Sequence, residues 1–351
     1  DKIADRYLGQ PDTVLLKDGR TILVCYPNGH GGPDTVMKRS DDGGLTWSDR
    51  LPVPKSFLGD HNAPTIHRVT DAKGVERLIL FVSHPAMKLS VSEDEGKTWS
   101  PLKPIFPDEM KGAPGYKGHA PPKSVVRLTD GRYLAVYHDH YTREGTKVVE
   151  SLQIISKDGG LTWSQPRCVT RHPLYPGAHP CEPGLIRSPD GEQLLCMLRE
   201  NSRSDGVRRY NSMYMVSNDE GATWSDLKEM PGALKGDRHI PRYTPDGRII
   251  TTIRDVNEDS DTYGDFVLWV GTYADILAGR EGQYRVRLLD NKSPRIGDTG
   301  YAGLELLPDG TFVSTTYCVL KEGEQPLIVS VRFTMAELDA IAAEADKGKS
   351  K

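Results

Sequence analysis

Hydrogen-bonding and titratable residues recur at one kind of place in this chain. They stand at the start of an apolar run, usually next to a proline: Gln10, His61 with Asn62, His119, Glu182, Arg238 with His239, and Tyr301. Imidazole, carboxylate, phenol and guanidinium are the side chains that move protons and hold anions. More of the same types lie close by. His30 sits in Asn28-Gly29-His30-Gly31-Gly32, and Asp34 follows Gly31-Gly32-Pro33. Asp60 precedes His61, while Arg199 and Arg254 each end an apolar run. If the runs are equivalent strands, the residues that start them form one ring and one site. If the runs are unrelated, the same residues only cap strand ends and turns.

The repeats favour equivalence. With Pro11, Pro64, Pro121, Pro183, Pro241 and Gly303 as markers, the steps are 53, 57, 62, 58 and 62 residues. Each unit has an apolar run, a turn and a second apolar run. The turns Asp18-Gly19, Asp130-Gly131, Asp190-Gly191, Asp246-Gly247 and Asp309-Gly310 are hairpin signals. A second pattern, S-x-D-x-G-x-T-W, lies between the units at 40–47, 92–99, 156–163 and 217–224. Its aspartates, 42, 94, 158 and 219, are 52, 64 and 61 residues apart. Asp holds tight turns through backbone N–H groups, Gly supplies positive φ, and Trp buries a large apolar area. The pattern therefore reads as the turn of an outer hairpin; calcium or ligand binding at the Asp is the competing reading. Repeats of this length indicate a solenoid, propeller or array.

Six hairpin pairs predict an all-β chain, a six-bladed β-propeller using residues 1–351 as a single domain, with four of the boxes as outer turns. Propellers bind ligands at the mouth of the central channel, where the inner strands begin. Blade five lacks the box and has a helical turn at Ala274–Gly279 instead. Blade six lacks an obvious fourth strand, which the residues before Gln10 are expected to supply. A short C-terminal helix is expected over about 334–346, with Thr334 as N-cap, Glu337 at the third position and a frayed lysine-rich end.

Composition agrees. Glycine (35), proline (25) and 37% hydrophobic residues suit a turn-rich all-β protein. A net charge of −4 argues against a nucleic-acid surface. No apolar run approaches the 18 or so residues of a membrane span. The chain begins at Asp1, so a removed leader or a trimmed start is expected, with a secreted or periplasmic location. Five cysteines give no dense disulfide framework, and Cys25, Cys196 and Cys318 read as buried thiols. No cofactor is expected. No metal site is expected either, because no short H-x-x-H spacing occurs.

The four boxes are Asp-boxes, and the chain resembles the sialidase superfamily that carries them. The resemblance covers the whole chain at the level of blades and implies the propeller and glycoside hydrolysis. Sialidases carry a Tyr nucleophile paired with a Glu, an Asp acid/base on a first-blade loop, and three Arg that clamp the sugar carboxylate. Tyr301 in Asp298-Thr299-Gly300-Tyr301 resembles the nucleophile and Glu182 in Cys181-Glu182-Pro183 its partner. Arg199, 17 residues on, resembles the second clamp Arg. Asp34 or Asp60 would be the acid. The pattern departs in two ways. Gln10-Pro11 stands where the first Arg belongs, leaving Arg238 or Arg254 as the third, and the ring is rich in His (61, 119, 239, with 30 nearby).

The resemblance implies an exo-acting glycosidase on a terminal acidic sugar, sialic acid or a relative. Gln10, His30, Asp60, His61, Arg199, Arg238 and Arg254 would hold that glycan, and the chain would act as a monomer. Two alternatives stay open. A propeller lyase or His-dependent glycosidase would use His119 or His239 with Tyr301 as base and acid, and Arg199 would neutralise a uronate. A propeller without catalysis would only bind carbohydrate.

Overall fold

A computed structural model of the chain describes every residue except 1, 3–5, 60–62, 144–145, 171–177, 205, 209, 296 and 350–351. The strands form six antiparallel sheets in chain order, each a blade of a six-bladed β-propeller, plus a two-stranded hairpin. Blade one holds Asp12–Leu15, Ile22–Pro27 and Thr35–Ser40. Its fourth strand is irregular, but Ser48 and Leu51 still donate N–H groups to the carbonyls of Arg39 and Met37. Blade three is the longest, from Ala120–Arg127 through Tyr133–Arg143 and Thr146–Ser156 to Arg167–Cys168. Blade four carries the extra hairpin, Arg203–Ser204 with Val207–Arg208, between its second and third strands. The second strands of blades one, five and six, Ile22–Pro27, Ile249–Asp255 and Phe312–Cys318, are buried along their whole length because each lies inside its blade and is covered on both faces.

The boxes are turn staples. Asp158 Oδ1 accepts the Thr162 N–H at 2.9 Å and Oδ2 accepts its hydroxyl at 2.5 Å, while the Ser156 hydroxyl takes the Gly160 N–H at 2.8 Å. Asp42, Asp94 and Asp219 repeat the pattern. The Trp163 indole closes the turn on the Gly160 carbonyl at 3.0 Å. Blade five replaces the box with the helix Tyr273–Leu277, capped reciprocally by Thr272 and Asp275.

Two expectations need correction. Blade six stays three-stranded among the described residues. Among the described residues the N-terminal segment reaches it through one backbone hydrogen bond, Leu8 N–H to the Pro326 carbonyl at 3.1 Å, and through the fully buried Leu8 side chain. Leu8 thus clasps the segment to blade six, while residues 1 and 3–5 of the expected strand lie outside the described residues. The C-terminal helix spans Met335–Lys349, longer than expected, and begins with the foreseen box between Thr334 and Glu337. Its lysine-rich end continues the helix, consistent with cations favouring a helix C-terminus. All five cysteines are free, with Cys25, Cys196 and Cys318 buried.

Candidate active site

The first strands of four blades begin in the same way. Gln10, Glu182, Arg238 and Tyr301 have φ of 57°, 51°, 58° and 53°. Non-glycine residues avoid this left-handed region at a cost of about 1–3 kcal/mol each. In blades four, five and six the residue lies in a bulge, at Cys181/Gly184, Asp237/Ile240 and Gly300/Gly303. A bulge adds one residue, bends the strand and re-aims a side chain. Gly184 follows because a Cβ there would stand 2.3 Å from the His239 carbonyl oxygen of the neighbouring blade. On the second strands, His138, Arg199, Arg254 and Tyr317 pair with Ala120, Cys181, Asp237 and Gly300. This position faces the mouth in blades three, four and five, whereas Tyr317 of blade six is fully buried behind it.

These elements bring Tyr301, Glu182 and Arg199 together. The Tyr301 hydroxyl donates to Glu182 Oε1. Arg199 Nη1 donates to the same oxygen at 2.6 Å and lies 3.3 Å from the Tyr301 oxygen. Glu200, next to Arg199 in sequence, has its carboxylate occupied by the His179 and Ser202 N–H groups and the Ser202 hydroxyl. Arg238 and Arg254 cover the Tyr301 ring at 5.2 and 5.6 Å. Beneath them Asp237, 1% exposed, gathers three guanidinium groups. Its oxygens lie 2.9 Å from Arg199 Nε, 2.6 Å from Arg208 Nη1 and 3.0 Å from Arg254 Nε.

Charge fixes the resting protonation states. Burial works to raise the Glu182 pKa, but Arg199 outweighs it and the carboxyl stays below its ordinary range. Burial and the charge of Glu182 push the Tyr301 phenol well up. Asp237 is held far down despite burial, by Arg199, Arg254 and Arg208. At neutral pH the pair is therefore a glutamate accepting from a neutral phenol. The His30 imidazole is lowered by burial and by Arg254.

Two cavities meet at Tyr301 and Arg199. The larger, about 700 Å³, is lined by Arg199, Arg203, Arg208, Arg254 and Arg295, with Asp237, Asp298, Tyr7, His30 and Tyr301 among the rest. The smaller, about 230 Å³, adds Gln10, Glu182, His119, His138 and His140. Gln10 also accepts the Gly31 N–H at 2.9 Å and so holds the loop that carries His30. Among the described lining residues no arginine comes from the Gln10 position. Arg208, from the extra hairpin, instead joins Arg199 and Arg254.

Other expected residues lie elsewhere. His239 is 1% exposed, has Nε2 at 2.9 Å from the Leu234 carbonyl and lines neither cavity. Asp34 accepts the Gly59 N–H at 3.1 Å and an Asn28 amide N–H at 3.4 Å, which ties two loops together, and it lines neither cavity. Asp60 and His61 lie outside the described residues.

Sequence reasoning missed Asp237, Arg208, His138 and His140. The signal for the histidines was His138-Asp139-His140 on a strand, where alternate residues share a face. Ring nitrogens of His119, His138 and His140 lie within 4.8 Å of one another. Three imidazoles are a donor set for a transition metal. The His119 and His140 rings stack at 4.0 Å and 8°, and His138 Nδ1 receives the Glu182 N–H at 3.3 Å. The His138 ring is tilted by 55° and 54° to those two, so the cluster beside Glu182 is a stacked pair with a third imidazole set across it.

The family description "BNR repeat-like domain" matches residues 86–264, about half of the chain. The chain belongs to this family, in the sialidase superfamily of propellers. This BNR-repeat chain is 24% identical to a sialidase of Clostridium perfringens over 258 residues, covering 65% of the chain and 63% of that protein. It is 26% identical to a sialidase of Micromonospora viridifaciens over 337 residues, covering 86% of the chain and 47% of that protein. The chain spans 39 to 63% of the length of the curated relatives it matches. The GH93 α-L-arabinofuranosidase of Fusarium graminearum, solved with arabinobiose, superposes with a TM-score of 0.66 at 14% identity, covering 96% of this chain and 97% of that one. At that identity the likeness shows the fold alone.

Proposed function

We propose that this propeller is a retaining, exo-acting glycoside hydrolase of an acidic sugar, with Tyr301 as nucleophile and Glu182 as its base. The observation that carries this reading is the Tyr301–Glu182 hydrogen bond under Arg199, on the floor of an arginine-lined cavity. A substrate carboxylate lying on Arg199 competes with Glu182 for that guanidinium. Glu182 then gains proton affinity and takes the Tyr301 proton. The phenolate oxygen bonds to the anomeric carbon as the glycosidic C–O bond breaks and an acid protonates the leaving oxygen. Water then displaces the phenolate and restores Tyr301. A phenol suits an acidic sugar because it avoids setting a carboxylate against a carboxylate. Glycan would be the partner, and a secreted or periplasmic site of action belongs to the same proposal.

A second reading is favoured by one observation: His119 and His140 share the small cavity with Tyr301 and Glu182, whereas Asp34 lines neither cavity. In that reading a histidine supplies the acid, or acts with Tyr301 in uronate elimination.

Turnover of an aryl sialoside and a panel of acidic glycosides is the first measurement. Tyr301→Phe removes one hydroxyl, so folding should persist while turnover falls at least about a hundredfold. A 2,3-difluoro acidic sugar should leave a mass adduct on the Tyr301 peptide. Turnover without an adduct, with His119→Ala the more damaging change, would replace the nucleophile reading by the histidine one. Unsaturated product would identify a lyase.

A further inference from the structure

The larger cavity holds more positive charge than one sugar carboxylate uses. Five arginines and two aspartates line it, in a chain whose net charge is −4. The surplus is unevenly placed. Arg199, Arg208 and Arg254 converge on buried Asp237, and Arg199 also holds Glu182. Arg203 and Arg295 are exposed and pair with no carboxylate among the described residues. Among the described residues the Arg203 guanidinium makes one hydrogen bond, Nη1 donating to the Gly206 carbonyl at 2.7 Å. Asp298, the other lining acid, is engaged by the hydroxyls of Tyr7 at 3.0 Å and Ser293 at 2.5 Å. The floor is thus a nearly neutralised cluster, and the wall above it carries uncompensated guanidinium groups. In a concave, low-dielectric mouth such groups attract a second anion strongly. Guanidinium prefers oxyanions that accept two parallel hydrogen bonds, planar carboxylates and tetrahedral oxyanions alike.

We propose that the substrate carries two anionic groups. One lies on the floor beside Tyr301. The other, a sulfate or a second carboxylate on the same sugar or on its neighbour, is held by Arg203 and Arg295. The volume of about 700 Å³ lies well inside the range of about 300–1,000 Å³ usual for ligand pockets, enough for more than the reacting ring. Arg203 reaches the cavity from the hairpin inserted in blade four, so that insertion is the element that sets the preference. This inference rests on the acidic-sugar reading proposed above.

The test is calorimetric binding at low salt to the Tyr301→Phe protein, which does not consume the ligand. Three matched disaccharides serve as probes: glucuronate linked to N-acetylgalactosamine, its 6-sulfate, and digalacturonate. Arabinobiose is the neutral control. At least one dianion should bind about tenfold or more tighter than the monoanion, as a charge-assisted contact gives. The sulfate and the second carboxylate are told apart by which probe gains. Arg203→Ala with Arg295→Ala, both at exposed positions, should remove the gain, so that mono- and dianions bind alike, at an unchanged melting temperature. Equal binding of mono- and dianions, or a gain that survives the double substitution, overturns the second anion site and leaves the acidic-sugar reading standing. Binding of arabinobiose with no binding of any acidic probe overturns both.

Discussion

Glu182 is the residue whose state decides what the site can do. Its carboxylate accepts from a phenol and a guanidinium at once, and it sits in a backbone conformation that a non-glycine residue adopts at a cost. The fold keeps that cost because the bulge aims the side chain at the channel mouth. The depressed pKa has a consequence with a definite sign. In the proposed mechanism Glu182 must be ionised to take the Tyr301 proton, and its folded value lies below the ordinary 4.5. The acid limb that this group imposes on kcat/KM should therefore fall below pH 4.5. Once a substrate carboxylate has taken Arg199, the downward pull weakens, so the acid limb of kcat should sit at higher pH than that of kcat/KM. Parallel pH profiles of wild type and Glu182→Gln check this. Gln does not titrate, so the low limb should vanish as turnover drops at least about a hundredfold. An acid limb of kcat/KM above pH 4.5 that disappears in Glu182→Gln would show that Arg199 does not dominate the carboxyl. Ionised Glu182 also stabilises the fold above its unfolded pKa, and that contribution is lost as pH falls through the lower folded value.

At the scale of elements, the boxes and the bulged strand starts divide the work. The boxes lock outer turns and the bulged starts build the site. Asp158→Ala should remove the two Thr162 hydrogen bonds and lower stability by about 1–3 kcal/mol, the cost of leaving such groups unmet. Activity per folded molecule should not change, so a melting curve read beside turnover separates the effects. A large loss of turnover at unchanged melting temperature would place the box in the site. The division of work also explains what the sequence made legible. Boxes and D-G turns are local chemistry at fixed spacing, so blade number, hairpin order and the blade-five helix could be read directly. Tyr301, Glu182 and Arg199 could be grouped because the repeat places strand starts and strand ends in one ring. Asp237 and Arg208 could not. Asp237 precedes the ring position by one residue, and the bulge turns it beneath the floor. Arg208 comes from an insertion that follows no repeat. His239 shows the opposite failure: it abuts the ring position in sequence, but the bulge sends its imidazole to the Leu234 carbonyl.

At the scale of the molecule, a ring of six blades must hold blade one against blade six. Sequence logic assigned that closure to an N-terminal strand. The structure achieves it mainly by packing. Leu8 is fully buried against Val24, Tyr26 and Val36 of blade one and Tyr317 and Ile328 of blade six. Its N–H also reaches the Pro326 carbonyl. Next to it, Tyr7 meets the His30 ring edge-on at 4.6 Å, and both rings line the larger cavity. Closure and site are therefore mechanically joined at residues 7 and 8. Leu8→Ala deletes side-chain volume from this junction while keeping the backbone bond. It should destabilise by about 2–5 kcal/mol, the range for Leu→Ala in a packed core. It should also raise KM more than it lowers kcat, since Tyr7 and His30 line the cavity wall and take no part in the Tyr301–Glu182 hydrogen bond. Urea unfolding with parallel kinetics reads both quantities. A stability change below about 1 kcal/mol would mean that the cluster collapses around the gap or is never tight. In that case the ring is closed by blades one and six directly, without the N-terminal clasp.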